Sequence, residues 1–523
     1  MRAMADKGTH SHLGPISFAA MLVLAPALST YGVFEARAAL SLPASTFVPL
    51  PAEHDKAATH GMKTLVILLD GLRSDVAHAL PNLNAIAARG AETEIEIVPP
   101  TISSPQYVAF LTGVAPADSG VRSNSGLYRI ALDNVALRVQ QEHAGITLEI
   151  GDDVDWWKTM FGPSFNEALL VKPAELLTTA KTKLRSIEFG LVHLCAVDNA
   201  GHEHGASGPE YAAAAHEVDE ATLVLAQTWG WPNVNLVVIS DHGHRPKGGH
   251  GSDDPDVRFT RMIVSGGMAK RAATAMGARS IDVAPTLAAL LGVSAPAQAQ
   301  GRSLNELLDV DDGQKNALAQ SDSARLARIE PSLQHGRALA AKRERREQIL
   351  RGAVLTIALA IVASLNWKRR IAVAGPFALG FLHLALTVAT YGASFGALSF
   401  AAARLSTLLV RDVALFSFGW TIVLGVATYR HWTRAKREQL LAAATCASLG
   451  AGVLACASFV CAGVSSSRFT FSPAWVAAAP LVSFASYAAF AAGALALVVG
   501  REGVRAWREK TRLSSTSQVT PHP

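Results

Sequence analysis

Charge is scarce in this sequence, and cysteine is scarcer. Only 17% of the 523 residues are Asp, Glu, Lys or Arg, and half are apolar. A chain this apolar is not disordered, and it does not read as a simple soluble enzyme. There are four cysteines. Cys446, Cys456 and Cys461 sit inside apolar runs and Cys195 in a strand-like run, so no disulfide framework is legible. A uniform basic excess of the kind that binds nucleic acid is also missing. Acidic residues prevail up to residue 349, and the basic residues beyond it fall between apolar runs, as in membrane proteins. Nucleic acid is thereby excluded as a partner and a membrane is expected.

From Leu13 to Phe34 there is no charged residue, enough for one spanning helix. Arg2 and Lys7 precede it, and the length favours an anchor over a signal peptide cleaved near Ala36-Arg37-Ala38. Further apolar runs cover 352–367, 371–391, 412–429, 440–464 and 473–499, about five spans. The stretch 392–411 contains Arg404 and reads as a loop or re-entrant segment. Placing Lys368-Arg369-Arg370, Arg430 to Arg437 and Arg501 to Arg512 on the cytoplasmic side puts residues 40–349 outside, in the ER lumen, periplasm or exterior. The implied organisation is an anchor (1–39), an outer catalytic domain (40–310), a helical connector (311–349), an all-α multi-span membrane region (350–500) and a basic cytoplasmic tail (501–523). The cluster Lys342-Arg343-Glu344-Arg345-Arg346 then lies outside, as a solvated helix face or against anionic headgroups.

Within the outer domain, 64–69 (TLVILL) is a continuous apolar run of the type buried on both faces of a sheet. Runs 146–150, 189–197 and 235–240 are similar, and helix-like segments at 81–90, 105–112, 209–228 and 282–291 alternate with them. Such alternation predicts an α/β domain with a mostly parallel sheet flanked by helices. Ligands bind such sheets beyond the carboxyl ends of the strands, and the sequence places Asp70, Asp198 and Asp241 there.

Asp198-Asn-Ala-Gly-His202 sets a carboxylate and an imidazole four residues apart across a glycine turn, Asp241-His242 is an adjacent pair, and His250 ends the glycine-rich loop Lys247-Gly-Gly-His. Mixed oxygen and nitrogen ligands suit zinc, and less well manganese. Two such cations ~3.5–4 Å apart can clamp a phosphoryl group between nucleophile and leaving group. Ser103, in Pro100-Thr-Ile-Ser-Ser-Pro105 ahead of an apolar helix ended by Gly113, is either an N-cap serine or a hydroxyl nucleophile where a helix N-terminus favours phosphate.

Leu69-Asp70-Gly71, Ser103-x-Pro105, Leu111-Thr112-Gly113 with Pro116, Asp198-x-x-Gly-His202, Ser240-Asp241-His242-Gly243 and Gly249-His250-Gly251 resemble, in this order, the alkaline phosphatase superfamily in its phosphodiesterase and phosphotransferase branch. Asp282 to Gly292 and Gly301-Arg-Ser-Leu304 resemble its closing segment, so the likeness covers about residues 63–305. The nearest pattern is that of the GPI ethanolamine phosphate transferase 1 type, with Asp-Gly-Leu-Arg, Pro-Thr-x-Ser-x-Pro, a Val-Asp-Glu helix at 218–220, an N-terminal anchor and a C-terminal multi-span region. The resemblance implies two Zn2+ ions. Asp70, Ser103, Asp241 and His242 would hold one, and Asp198, His202 and His250 the other.

By the same resemblance, Ser103 would carry the phosphoryl-containing group. Gln106 stands where the nucleotide pyrophosphatases have a phosphate-contacting asparagine, and Tyr107 where certain sulfatases have arginine. Trp156 and Trp157 would wall a headgroup or glycan, or simply pack in the core. The expectation is a membrane-bound transferase moving phosphoethanolamine from a phospholipid donor to a glycan or lipid hydroxyl. The alternatives are a phosphodiesterase or nucleotide pyrophosphatase and, from another class, a transporter or scaffold with an inactive outer domain.

Overall fold

The computed structural model describes residues 57–367, except 122–123, 125–126 and 252–253, together with 503–504 and 507–512. The expected anchor, the spans from 371 onward, Lys368-Arg369-Arg370, Arg404 and three of the cysteines lie outside the described residues. Among the described residues no helix is long and apolar enough to cross a membrane.

Eight strands form one sheet: β1 (Thr64–Leu69), β2 (Gly90–Glu96), β3 (Thr147–Asp152), β4 (Glu167–Val171), β5 (Phe189–Leu194), β6 (Asn235–Ile239), β7 (Phe259–Ser265) and β8 (Ala278–Arg279). Their order is β4-β3-β5-β1-β6-β7-β2-β8. Pairing is parallel throughout except where β7 runs against both β6 and β2. The mostly parallel α/β expectation therefore holds for this domain. The central strands read as unbroken apolar runs because each residue meets a hydrophobic layer on one face or the other. In β1, Leu65, Ile67 and Leu69 enter a layer with Leu83, Val218, Leu225 and Trp229. Val66 and Leu68 enter the opposite layer with Tyr107, Leu111, Trp157 and Leu287. Burying one such side chain contributes about 1.5–3 kcal/mol, so a central strand is held from both sides.

Two expectations need correction. The apolar run 189–197 is not all strand: β5 stops at Leu194 and a helix covers Ala196–His204. Asp198 and His202 are thus one helical turn apart on the same face, and the glycine between them makes no turn. The motif stays together for a different reason than the one first read from it. Four strands, β2, β4, β7 and β8, were not anticipated. β2 alternates Glu and Thr with apolar residues, and β4 is a half-exposed edge.

A helix of 56 residues, Asp312–Trp367, follows the sheet. Its first turns are strapped to the domain. Arg325 donates to the carbonyls of Ala299 and Gly301, Asp322 accepts from the Ser303 amide, and Arg337 pairs with Asp118. The helix continues without a break through residue 350, where the connector was expected to give way to the first span.

Candidate metal centre and nucleophile

The three central strands β5, β1 and β6 lie side by side and parallel, so their carboxyl ends open on one edge. Asp70 follows β1, the helix Ala196–His204 follows β5, and Asp241 and His242 follow β6. The helix Ser103–Thr112 brings Ser103 to the same edge. Ser103 is its first residue, after extended Ile102 and before a left-handed Gly113 that closes the other end. The first amides of such a helix lack intrahelical partners and carry the positive end of its dipole.

These side chains meet. Ser103 Oγ is 3.1 Å from His242 Nε2. His242 Nε2 is 3.5 Å from Asp70 Oδ1 and 3.4 Å from Asp241 Oδ2. Nearby, His202 Nε2 is 3.2 Å from Asp198 Oδ2 and 3.1 Å from His250 Nε2, which is 3.7 Å from Asp198 Oδ1. The rings of His242 and His250 stack at 3.8 Å and join the two groups.

Close approach here requires glycine at two places. Gly71 has φ of +71°, and a Cβ on it would lie 2.9 Å from Asp198. Gly201, within Asp198-x-x-Gly-His202, receives the face of His244, and a Cβ there would meet that ring at 2.7 Å.

Burial decides the protonation of these groups. Asp70, Asp241 and His242 are buried, and Asp70 Oδ1 and Asp241 Oδ2 have no hydrogen-bond partner. Burial, with the neighbouring charges of Asp70 and Asp198, lifts the Asp241 carboxyl well above its usual range. Burial pushes His242 down to about 4, and burial with the nearby His242 holds His250 well below the ordinary imidazole value. Burial alone would raise Asp198, but the charge of His202 and hydrogen bonds from His202 and His244 bring it well below the usual range. Burial opposes a charge on His202, yet Asp198 outweighs it and raises that imidazole.

Two close carboxylates with orphaned oxygens, Asp70 and Asp241, beside His242 and His250, whose imidazoles burial holds below their ordinary value, form a donor set that a divalent cation satisfies. Backbone carbonyls fix the tautomers. His242 Nδ1 faces the Gly243 carbonyl at 3.2 Å and His250 Nδ1 the Thr101 carbonyl at 2.9 Å. A carbonyl only accepts, so each Nδ1 carries the proton and each Nε2 turns its lone pair inward.

His244 carries no spacing that demands metal, yet it joins these side chains. Its Nε2 is 2.7 Å from Asp198 Oδ1, and it lies with Asp198, His242 and His250 in a group spaced to hold an ion. His193, Cys195 and Tyr107 also gather, behind Asp70. The apolar run around His193 concealed that one, since a lone histidine in a buried strand carries no local signal. Gln106 is buried and gives its amide N–H groups to the carbonyls of Val98 and Pro100. Trp157 is buried in the core, stacked on Tyr107 at 4.3 Å, and Trp156 packs against that core. The Arg73 guanidinium is clamped by Asp75 and Asp256.

A mostly parallel α/β sheet thus gathers carboxylates, imidazoles and the first-turn serine of a helix at its carboxyl edge, in groups spaced to hold a metal ion. The comparisons place it more closely. Residues 64–172 and 151–253 match the type I phosphodiesterase / nucleotide pyrophosphatase family. It is similar to the catalytic subunit of human GPI ethanolamine phosphate transferase 3, 25% identical over 51% of this chain and 28% of that protein. GPI ethanolamine phosphate transferase 3 of Schizosaccharomyces pombe is 26% identical over 38% and 23%. The matched relatives are thus of type 3, where the motifs pointed to type 1, and the match spans under a third of their length. Among solved structures, human ectonucleotide pyrophosphatase / phosphodiesterase 5 aligns with a TM-score of 0.39 at 15% identity, over 47% of this chain and all of that one. An alkaline phosphatase superfamily protein from Vibrio parahaemolyticus aligns at 0.40 and 17%, over 54% and 79%.

Proposed function

We propose that this protein is a membrane-bound, two-metal phosphotransferase that moves phosphoethanolamine from a phospholipid to a glycan or lipid hydroxyl. The observation that carries this reading is Ser103, poised at a helix N-terminus 3.1 Å from His242 and beside the orphaned oxygens of Asp70 and Asp241. Asp70, Asp241, His242 and Ser103 would hold one Zn2+, and Asp198, His202 and His250, with His244 behind them, the other. Bound divalent cations would favour the Ser103 alkoxide and offset charge on the phosphoryl oxygens.

Ser103 then gives up its proton and attacks phosphorus. A bond forms from Oγ to phosphorus, the bond to the diacylglycerol oxygen breaks, and that oxygen takes up a proton. The first amides of Ser103–Thr112 face the phosphoryl oxygens. An acceptor hydroxyl next gives up its proton and bonds to phosphorus, the bond from Oγ to phosphorus breaks, and Oγ takes up a proton, which restores Ser103. The names of the similar transferases support the phosphoethanolamine donor and the glycan acceptor. A catalytic domain on the non-cytoplasmic side would meet both at the membrane.

The test supplies zinc-loaded full-length protein with headgroup-labelled phosphatidylethanolamine and a glycolipid acceptor. Label on the acceptor supports transfer. Free ethanolamine phosphate alone supports the phosphodiesterase reading, which the family match favours. Unchanged turnover in Ser103→Ala together with Asp241→Ala would remove both and leave the transporter or scaffold reading. Met276 is 90% exposed, so Met276→Cys should react with impermeant reagents from the non-cytoplasmic side; labelling only from the cytoplasm reverses the orientation.

A further inference from the structure

Asp70 is gripped from behind. Tyr107 donates its hydroxyl to Asp70 Oδ2 at 2.6 Å, and His193 Nε2 lies 2.8 Å from the same oxygen. The Trp157 indole N–H points at His193 Nδ1 at 3.3 Å. An indole nitrogen only donates, so Nδ1 must accept and the proton of a neutral His193 must sit on Nε2, where it faces Asp70. One carboxylate oxygen thus receives two donors, and the other, Oδ1, has no partner and looks toward His242. Trp157 serves twice, since its ring also stacks on Tyr107 at 4.3 Å and 11°. All four side chains are buried.

We propose that Trp157, His193 and Tyr107 are positioning residues that lock the Asp70 carboxylate so that Oδ1 is the oxygen presented to a cation. This rests on the metal-centre reading above. The layout is economical in sequence terms. Tyr107 is one turn along the helix that starts at Ser103, so the nucleophile and the clamp on its neighbouring carboxylate share one rigid element. His193 enters from β5, paired in register with β1 two residues before Asp70. Partners of this kind behind a metal ligand are typically worth ~10–100-fold in metal affinity or activity.

The rival for the same residues is a third ion, because Asp70, His193 and Cys195 are spaced to hold one. The hydrogen bonding opposes it. The Tyr107 hydroxyl lies 3.0 Å from His193 Nε2 as well as 2.6 Å from Asp70, so a donor already fills the gap between them. The indole N–H faces the remaining imidazole nitrogen.

The experiment titrates purified full-length protein with zinc against a chromophoric chelator, and measures kcat and KM on a phosphodiester. Two ions per wild-type chain are expected. Tyr107→Phe should bind one ion ~10-fold or more weakly, leave the other unchanged and lower kcat more than it raises KM. His193→Gln, which keeps an N–H near the Nε2 position, should retain more affinity than His193→Leu. Trp157→Phe keeps the stack and loses only the donor; it decides the question if Tyr107→Phe fails to fold, and should also weaken one ion. Wild-type affinity for both ions in folded Tyr107→Phe and His193→Leu would overturn the proposal alone. So would three ions in the wild type falling to two in Cys195→Ser. Wild-type protein that binds no zinc overturns the metal centre and this inference with it.

Discussion

The two halves of the site are built on opposite electrostatic plans. Around Ser103 the charges are mismatched: Asp70 and Asp241 both face His242, which burial drives down to about 4, and Asp70 is held from behind by His193. Around Asp198 they are matched, with His202, His244 and His250 closing on a single carboxylate. The first half is shut away, Asp241 and His242 being 0% exposed, whereas Asp198 is partly open. Protons can balance the Asp198 half without help, because His202 is raised and Asp198 lowered by one another once burial is overcome. They balance the Ser103 half only by neutralising Asp241, which burial already drives toward the neutral acid. A cation is therefore the natural counter-charge of the buried half.

The sharpest way to break this contrast is to remove one carboxylate from each half. Asp241→Asn should lower turnover by roughly 10²–10³-fold, as loss of charge stabilisation at a reacting group does. It should also cost the protein one bound ion. Asp198→Asn removes the one carboxylate that, among the described residues, His202, His244 and His250 close on, and leaves three imidazoles without their shared partner. It should lose the second ion and keep the first. Ion counts for the two variants check this directly, and the loss of both ions in Asp198→Asn would show that the halves are one unit.

A smaller effect is expected from chelation. Stripping divalent ions leaves Asp70 Oδ1 and Asp241 Oδ2 buried and unpaired. The melting temperature should fall by several degrees, since an ion bound only by the native state stabilises it by mass action, ~2.7 kcal/mol at a hundredfold excess over Kd. Zinc added back should restore it. In Asp241→Asn the chelator should move the melting temperature less than in wild type, because part of the penalty is already gone.

How much of this could be read from the chain follows the same divide between local and distant causes. Asp70, Ser103, Asp198, His202, Asp241, His242 and His250 were legible because each is set in a short motif whose glycine or proline has a steric job, such as Gly201 under the His244 ring. The central strands were legible because both faces are buried. β2 and β7 were not, because Glu92 and Arg261 on adjacent strands answer each other across the sheet, and such a pair looks polar and strand-poor when each sequence is read alone. His193 and Tyr107 were missed for a related reason. Their meaning lies in one oxygen of Asp70, 123 and 37 residues away, and no spacing encodes it.

Glu149 sharpens the comparison from outside the site. It too is a buried carboxylate, 2% exposed on β3, and burial pushes its carboxyl from 4.5 up to about 8. In the folded protein it is therefore protonated at neutral pH, while in the unfolded chain it is ionised. Below pH 4.5 both states hold the proton and the residue costs nothing. Between 4.5 and about 8 the unfolded chain binds fewer protons, so stability falls as pH rises, on the order of 1.4 kcal/mol for each pH unit of that window. Glu149→Gln, isosteric with the protonated acid, should leave the unfolding free energy at pH 4 nearly unchanged and raise it by a few kcal/mol at pH 8, as read by denaturant titration at the two pH values. Zinc should not alter that difference if Glu149 is independent of the metal centre. A zinc-dependent difference would join Glu149 to the Asp70 network, and with it a third carboxylate to the buried half of the site.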